Sequence, residues 1–363
     1  MEDQRRTTRR SSLLTAGLSR RRFLGGLVGL GFLGTATTAL TDSPKSHPAQ
    51  GGEPGTASLA PSPYPTHPAE VPQAPAADLP APSQVSDPMT FLTTFDYGRV
   101  QRLAGGRVQR EYTVVALDRE IEVAPGVKFP AWTLNGYVPG PTLRCREGDL
   151  IKIHFLNESS MPHTMHFHGF HPANMDGVFE IIPPGSRFSY EFTAEPFGVH
   201  LYHCHVMPLK KHIHKGLYGT FIVDPPQPRP PAKEMVMVMN GYDTDFDNDN
   251  EFYTLNGVAN YFVEHPIEVR QHEPLRIYLV NITEFDLLNS IHTHATFFKF
   301  YRTGTRLDQY DYTDTVMLCQ GERGIMEYTY KFPGVFMFHA HQSEFAELGW
   351  LGFFKVLPAE GKA

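Results

Sequence analysis

Cys204 stands between His203 and His205, and His212 follows eight residues after the cysteine. A soft sulfur joined by two imidazoles suits an electron-transfer copper of trigonal geometry, whose axial position is weak or empty. Cys204 supplies the sulfur and His212 one imidazole. If the segment is a strand, neighbouring side chains point to opposite faces, so Cys204 faces one way and His203 and His205 both face the other. Two different metal sites then share three consecutive residues.

The remaining histidines test that idea. A His-x-His pair occurs five times, at 166/168, 203/205, 212/214, 292/294 and 339/341, where about one would arise by chance at this histidine frequency. In the run His163 to His168, strand parity again separates His163 from His166 and His168. His163 can therefore complete the Cys204 and His212 set, while His166 and His168 join His203 and His205.

Strands must carry these residues. Short alternating segments such as Leu150 to Phe155 and Leu275 to Val280, separated by Gly, Pro and Asn, point to all-β sandwiches or barrels. The chain also repeats itself. Asn135-Gly136 returns as Asn256-Gly257, His166-x-His168 as His292-x-His294, His203-x-His205 as His339-x-His341, and Gly216-x-x-Gly219 as Gly349-x-x-Gly352. The copies differ in one way that matters. The second has Ala340, Asn289 and Phe345 where the first has Cys204, His163 and His212. The sulfur set is lost as a unit while the other histidines stay.

Four segments follow: an export signal over 1–40, a Pro/Ala/Ser-rich linker over 41–90 read as disordered, and β-domains over 91–226 and 227–363. The signal rests on Ser19-Arg20-Arg21-Arg22-Phe23-Leu24, an apolar run to about Leu33 and small residues to Leu40, which resemble a twin-arginine export address. The apolar run is short for a membrane span, so no stable anchoring is expected. A periplasmic or extracellular location is. The formal net charge is −7, and the first 22 residues carry seven Arg against Glu2 and Asp3, a formal +5, so the rest of the chain is more acidic still. Nucleic-acid binding is therefore not expected. Of the three cysteines, Cys145 and Cys319 lie in strand-like contexts and read as small buried hydrophobes, with a bridge between them left open.

The motifs Asn135 to Leu143, Arg146-Glu147-Gly148-Asp149, His163-x-x-His166-x-His168 and His203-Cys204-His205 resemble those of two-domain multicopper oxidases, laccase-like proteins built from Greek-key cupredoxin domains. The resemblance spans about residues 95 to 358. It implies four coppers per chain and one-electron oxidation of phenolic or other small reducing donors coupled to reduction of O₂ to water. His163, Cys204 and His212 look like the type 1 ligands, with Leu217 in the non-coordinating axial place. The loop after Cys204 is longer than the family's usual one, which leaves His214 as a rival to His212 and Met207 as a rival axial group. His166 and His292 resemble type 2 ligands; His168, His203, His205, His294, His339 and His341 resemble the type 3 set. Asp176 resembles the acidic residue near the type 2 copper and is the candidate proton source. The trinuclear cluster lies between a first and a second domain, which in similar proteins come from neighbouring subunits of a homotrimer. Copper nitrite reductases share this plan but carry Asp where this chain has His166 and lack a histidine after the cysteine. A cuprous or manganese ion oxidase using the same coppers is the other alternative.

Overall fold

Alternating burial along segments such as Ile267–Arg270, whose successive residues point in and out, produces strands rather than helices. The computed structural model describes residues 79–360. The expected export signal and most of the expected linker lie outside the described residues.

The first domain faces a five-stranded sheet against a four-stranded one. In the former, Val108–Ala124 runs parallel to Leu150–Asn157 and antiparallel to Val127–Leu134. In the latter, Gly140–Arg146 is parallel to Tyr218–Asp224, which pairs with Gly198–His203. The second domain repeats this wiring. Lys233–Tyr242 is parallel to Leu275–Asn281, and Ile267–Arg270 is parallel to Leu351–Leu357, which pairs with Gly334–His339. These mixed sheets are the all-β, cupredoxin-like architecture that the sequence pattern implies.

The duplicated Asn-Gly pairs have a physical cause. Asn135 and Asn256 both sit at φ 57°, a left-handed conformation that asparagine tolerates better than most residues. The Asn135 Oδ1 accepts the Val115 N–H at 2.8 Å, and its Nδ2 donates to the Thr113 carbonyl. Asn256 does the same with Val238 and Val236. Each asparagine thus ties the turn after one strand to the middle of its neighbour at the same place in both copies. Asn135→Ala leaves two buried backbone groups unpaired and is expected to cost about 2–4 kcal/mol, read as a fall in the urea midpoint at unchanged slope.

Each domain has its own apolar core, with Cys204, Leu217, Tyr190 and Phe155 in the first and Trp350, Phe338 and Tyr253 in the second. A third apolar layer, including Val199, Leu201, Val236 and Tyr278, joins the two. Beside it, Arg144 pairs with Asp224 and with Glu234, and Arg276 pairs with Glu234 and Glu327. The Arg144 pair with Glu234 crosses between the domains, with the guanidinium buried and the carboxylates partly open to water.

Two expectations need correction. The disordered linker expected up to residue 90 gives way earlier to order, because Pro88–Thr93 is a helix. The Asp87 side chain caps it at the Thr90 N–H, and Phe91 and Leu92 are buried. The surrounding Pro/Ala/Ser composition hides this short capped turn. Cys319 is exposed, whereas Cys145 is buried, and both are free thiols. Cys319 ends Thr315–Cys319 on the outward parity of that strand.

Candidate metal centre

Tyr218–Asp224 and Gly198–His203 bring Leu217 and Cys204 together, with the Cys204 N–H donating to the Leu217 carbonyl at 2.9 Å. The long loop after Cys204 folds into a helix, Leu209–His214. That turn aims the His212 Nδ1 at the Cys204 Sγ, 3.3 Å away. His163 Nδ1 lies 3.2 Å from His212 Nδ1 and 4.0 Å from the sulfur. Cys204, His163, His212 and Leu217 are all buried.

This geometry separates the sequence alternatives. His214 points away and accepts the Asp243 N–H at its Nε2, at 3.0 Å. Met207 is 73% exposed. Leu217 is in the core with the sulfur, so His212 and Leu217, rather than His214 and Met207, face Cys204.

Burial pushes His163 down to about 3, helped by the neighbouring His212 ring. Burial and then Lys211 push His212 down to about 4. Both imidazoles are therefore neutral at physiological pH. Burial raises the Cys204 thiol, against backbone N–H donors that favour the thiolate. One of these is the Thr164 N–H, 3.4 Å from the sulfur. Two neutral imidazole nitrogens and a sulfur converging in a dry pocket fit a soft cation, and the S/N donor set matches copper.

The opposite face carries histidines in two matched groups. In the first domain His166 pairs with His203 across the sheet; in the second His292 pairs with His339. His203 Nδ1 donates to the Cys204 carbonyl, which leaves its Nε2 facing that of His168 at 3.3 Å. His339 Nδ1 donates to the Ala340 carbonyl, and its Nε2 faces that of His294 at 3.2 Å. His205 lies 5.5 Å from His166, and His341 5.5 Å from His292, between ring centres. Burial lowers His168 to about 3 and His203 to about 4. Without a metal one ring of each pair can donate to the other, and with both rings neutral and deprotonated at Nε2 the same nitrogens can accept a metal.

His166 is oriented by Asp176, whose carbonyl and carboxylate lie 2.8 and 3.0 Å from the His166 Nδ1. The second domain solves the same problem with the Asp314 carbonyl and Thr315 hydroxyl against His292 Nδ1. Outer partners of this kind fix the ring and its tautomer, leaving Nε2 for a metal. His171 also reaches the Asp176 carboxylate, at 3.7 Å. Among the described residues, no cluster of metal-capable groups mixes histidines of the two domains.

The sequence pattern of the multicopper oxidase family matches residues 117–228 and again 228–360. The chain belongs to the multicopper oxidase family. A crystal structure of a multicopper oxidase is 55% identical, with TM-score 0.74, over 75% of this chain and 97% of that one. A copper-containing nitrite reductase of Neisseria gonorrhoeae is 29% identical over 266 residues, 67% of each chain. The copper nitrite reductase of Nitrosomonas europaea is 26% identical, with TM-score 0.64, covering 69% and 94%. Membership makes this a chain of a copper oxidoreductase family and leaves oxidase and reductase chemistry to be distinguished at the site.

Sequence reasoning missed three supports in this family member. Thr164 Oγ1 accepts the His205 N–H, and Ser290 Oγ accepts the His341 N–H. The two hydroxyls occupy matching places in the copies, so the repeat spacing could have found them. Trp132 lies against both imidazoles of the Cys204 site, 4.8 Å from His212 and 5.3 Å from His163 between ring centres. Nothing in its sequence surroundings points to those rings, which come from distant segments.

Proposed function

We propose that this chain is a laccase-like multicopper oxidase. It takes single electrons from phenols or other small reducing donors at the Cys204 site and reduces O₂ to water at a cluster of three coppers. When bound, copper supplies reversible one-electron storage, and about four such ions match the four electrons that O₂ requires. The observation that carries this reading is the duplicated pair of converging imidazoles, His168 with His203 and His294 with His339. An electron carrier has no use for them. The nitrite reductase pattern lacks His166 and His205, both of which stand here.

The protein's own groups have distinct tasks in this reading. His163, Cys204 and His212 would hold the electron-entry copper, with the non-coordinating Leu217 side chain buried in the same core as the sulfur. The Cys204 backbone joins that site to His203 and His205 through one covalent bond in each direction. His166 and His292 hold the type 2 copper, and His168, His203, His205, His294, His339 and His341 the type 3 pair. Asp176 holds His166 in its tautomer and offers a carboxylate from which a proton can be delivered. Asp176→Ala is expected to weaken type 2 copper binding by about 10- to 100-fold, measured by competition with a chelator.

The two half-clusters belong to different domains, and a head-to-tail ring would bring one subunit's first domain to the next one's second. A cleft of about 980 Å³ beside His292 and His294, lined by Phe297 and Tyr312, supports such docking. The assembly inferred is a homotrimer. The arginine-rich start supports export to the periplasm or beyond, and no helix among the described residues is long and apolar enough to cross a membrane.

Oxygen uptake measured against nitrite consumption, with a phenol as donor and copper counted on the same sample, tests this reading. O₂ consumption with about four coppers per chain is expected. Nitrite turnover with two would sink it.

A further inference from the structure

The electron-entry site is roofed. In the site as described, His212 is only 2% exposed and His163 fully buried, so a donor cannot lie against either ring. The cover is Trp132, itself 8% exposed. Its outer side carries two ammonium groups, Lys211 Nζ and Lys215 Nζ, each 5.7 Å from the indole centre. This roof is anchored on three sides. The Trp132 N–H donates to the Lys215 carbonyl at 2.8 Å. Lys210 Nζ donates to Asn248 Oδ1, and the Asp243 N–H donates to His214 Nε2. The helix bearing His212 is thereby tied to the second domain. Lys215 is itself buried and also lies over Phe129 and Phe246, which packs it against the indole.

Resting on the oxidase reading above, we propose that Trp132 is the donor-selecting residue of this protein. It bars contact with His212, so the preferred donors are outer-sphere ones, which give an electron across the indole without bonding to a copper ligand. In that step one electron leaves the donor and reduces the centre held by Cys204, His163 and His212. No bond forms or breaks, and where the donor is a phenol its proton goes to water. Phenols remain donors but must also give their electron across the indole, so they react more slowly than they would at an open His212 edge.

The test is anaerobic stopped-flow bleaching of the blue band in the copper-loaded protein, with hexacyanoferrate(II) and 2,6-dimethoxyphenol as probes. In Trp132→Ala the phenol rate is expected to rise tenfold or more relative to the hexacyanoferrate rate, a range typical of opening one pocket contact. Trp132→Phe, which keeps a ring over His212, is expected to restore the wild-type ratio. A second readout needs no electron transfer: copper(II) added to copper-free protein should quench an emission component that Trp132→Phe lacks, leaving only that of buried Trp350. An unchanged phenol-to-hexacyanoferrate ratio in a blue Trp132→Ala protein overturns the proposal alone. A wild-type protein that loads copper without a blue band overturns the oxidase reading with it.

Discussion

In Cys204→Ser the blue absorption is expected to vanish and oxygen turnover to fall by about 10³-fold or more, equivalent to about 4 kcal/mol of barrier. Serine replaces a soft, ionisable sulfur by a hard hydroxyl that stays protonated at neutral pH, so the donor that suits an electron-transfer copper is gone. The fold has little reason to change. The side chain is almost the same size, the Cys204 N–H still donates to the Leu217 carbonyl, and the Thr164 N–H still has an oxygen to meet. His203 and His205 keep their own anchors, the Cys204 carbonyl and the Thr164 hydroxyl. Copper analysis of the variant should therefore return about three ions per chain. A variant that retains oxidase activity would end the assigned electron path.

The copper-free protein is expected to be acid-labile to an unusual degree. Burial holds His163 and His168 near 3 and His200, His203, His212 and His214 near 4, against an ordinary value of 6.5. As pH falls below 6.5 the unfolded chain takes up protons on these six groups and the folded chain does not. Stability therefore rises with pH across this window and is lost as pH falls through it. Each such imidazole adds up to about 1.4 kcal/mol per pH unit to the slope, so a few of them together are a large fraction of the stability of a typical protein. Unfolding of the metal-free form between about pH 5 and 6 is expected. Copper on His163, His168 and His203 competes with protons for the folded state and displaces the midpoint downward. Circular dichroism against pH, with and without a chelator, measures both. A metal-free protein still folded at pH 4 would refute the buried-neutral assignment of these rings.

What the sequence disclosed was local parity and repetition. Alternation in a strand assigns Cys204 and its neighbours to opposite faces without any knowledge of packing, and the second copy, with Ala340, separates the two ligand sets. Asn135-Gly136 and Asn256-Gly257 were legible because a left-handed turn restricts residue choice. The features that stayed hidden depend on distant contacts. His212 and His214 have the same spacing signal, and only the helix Leu209–His214 decides which one faces the sulfur. Trp132 becomes part of the site through packing across some 80 residues of chain. Pro88–Thr93 was masked by the composition around it, and Cys319 by a strand that offers its last position outward.

The segregation of His166, His168 and His203 from His292, His294 and His339 carries a genetic consequence for the ring proposed above. In a ring where each cluster takes half its ligands from either neighbour, a chain disabled in its first domain and another disabled in its second are each inactive alone. Assembled together at equal amounts, they would form some interfaces in which both contributing halves are intact, about a quarter of them by random association. Two null alleles could thus complement one another in a single cell. A chain carrying both defects would instead disable the two interfaces it forms, leaving in a trimer only the one between its two intact partners.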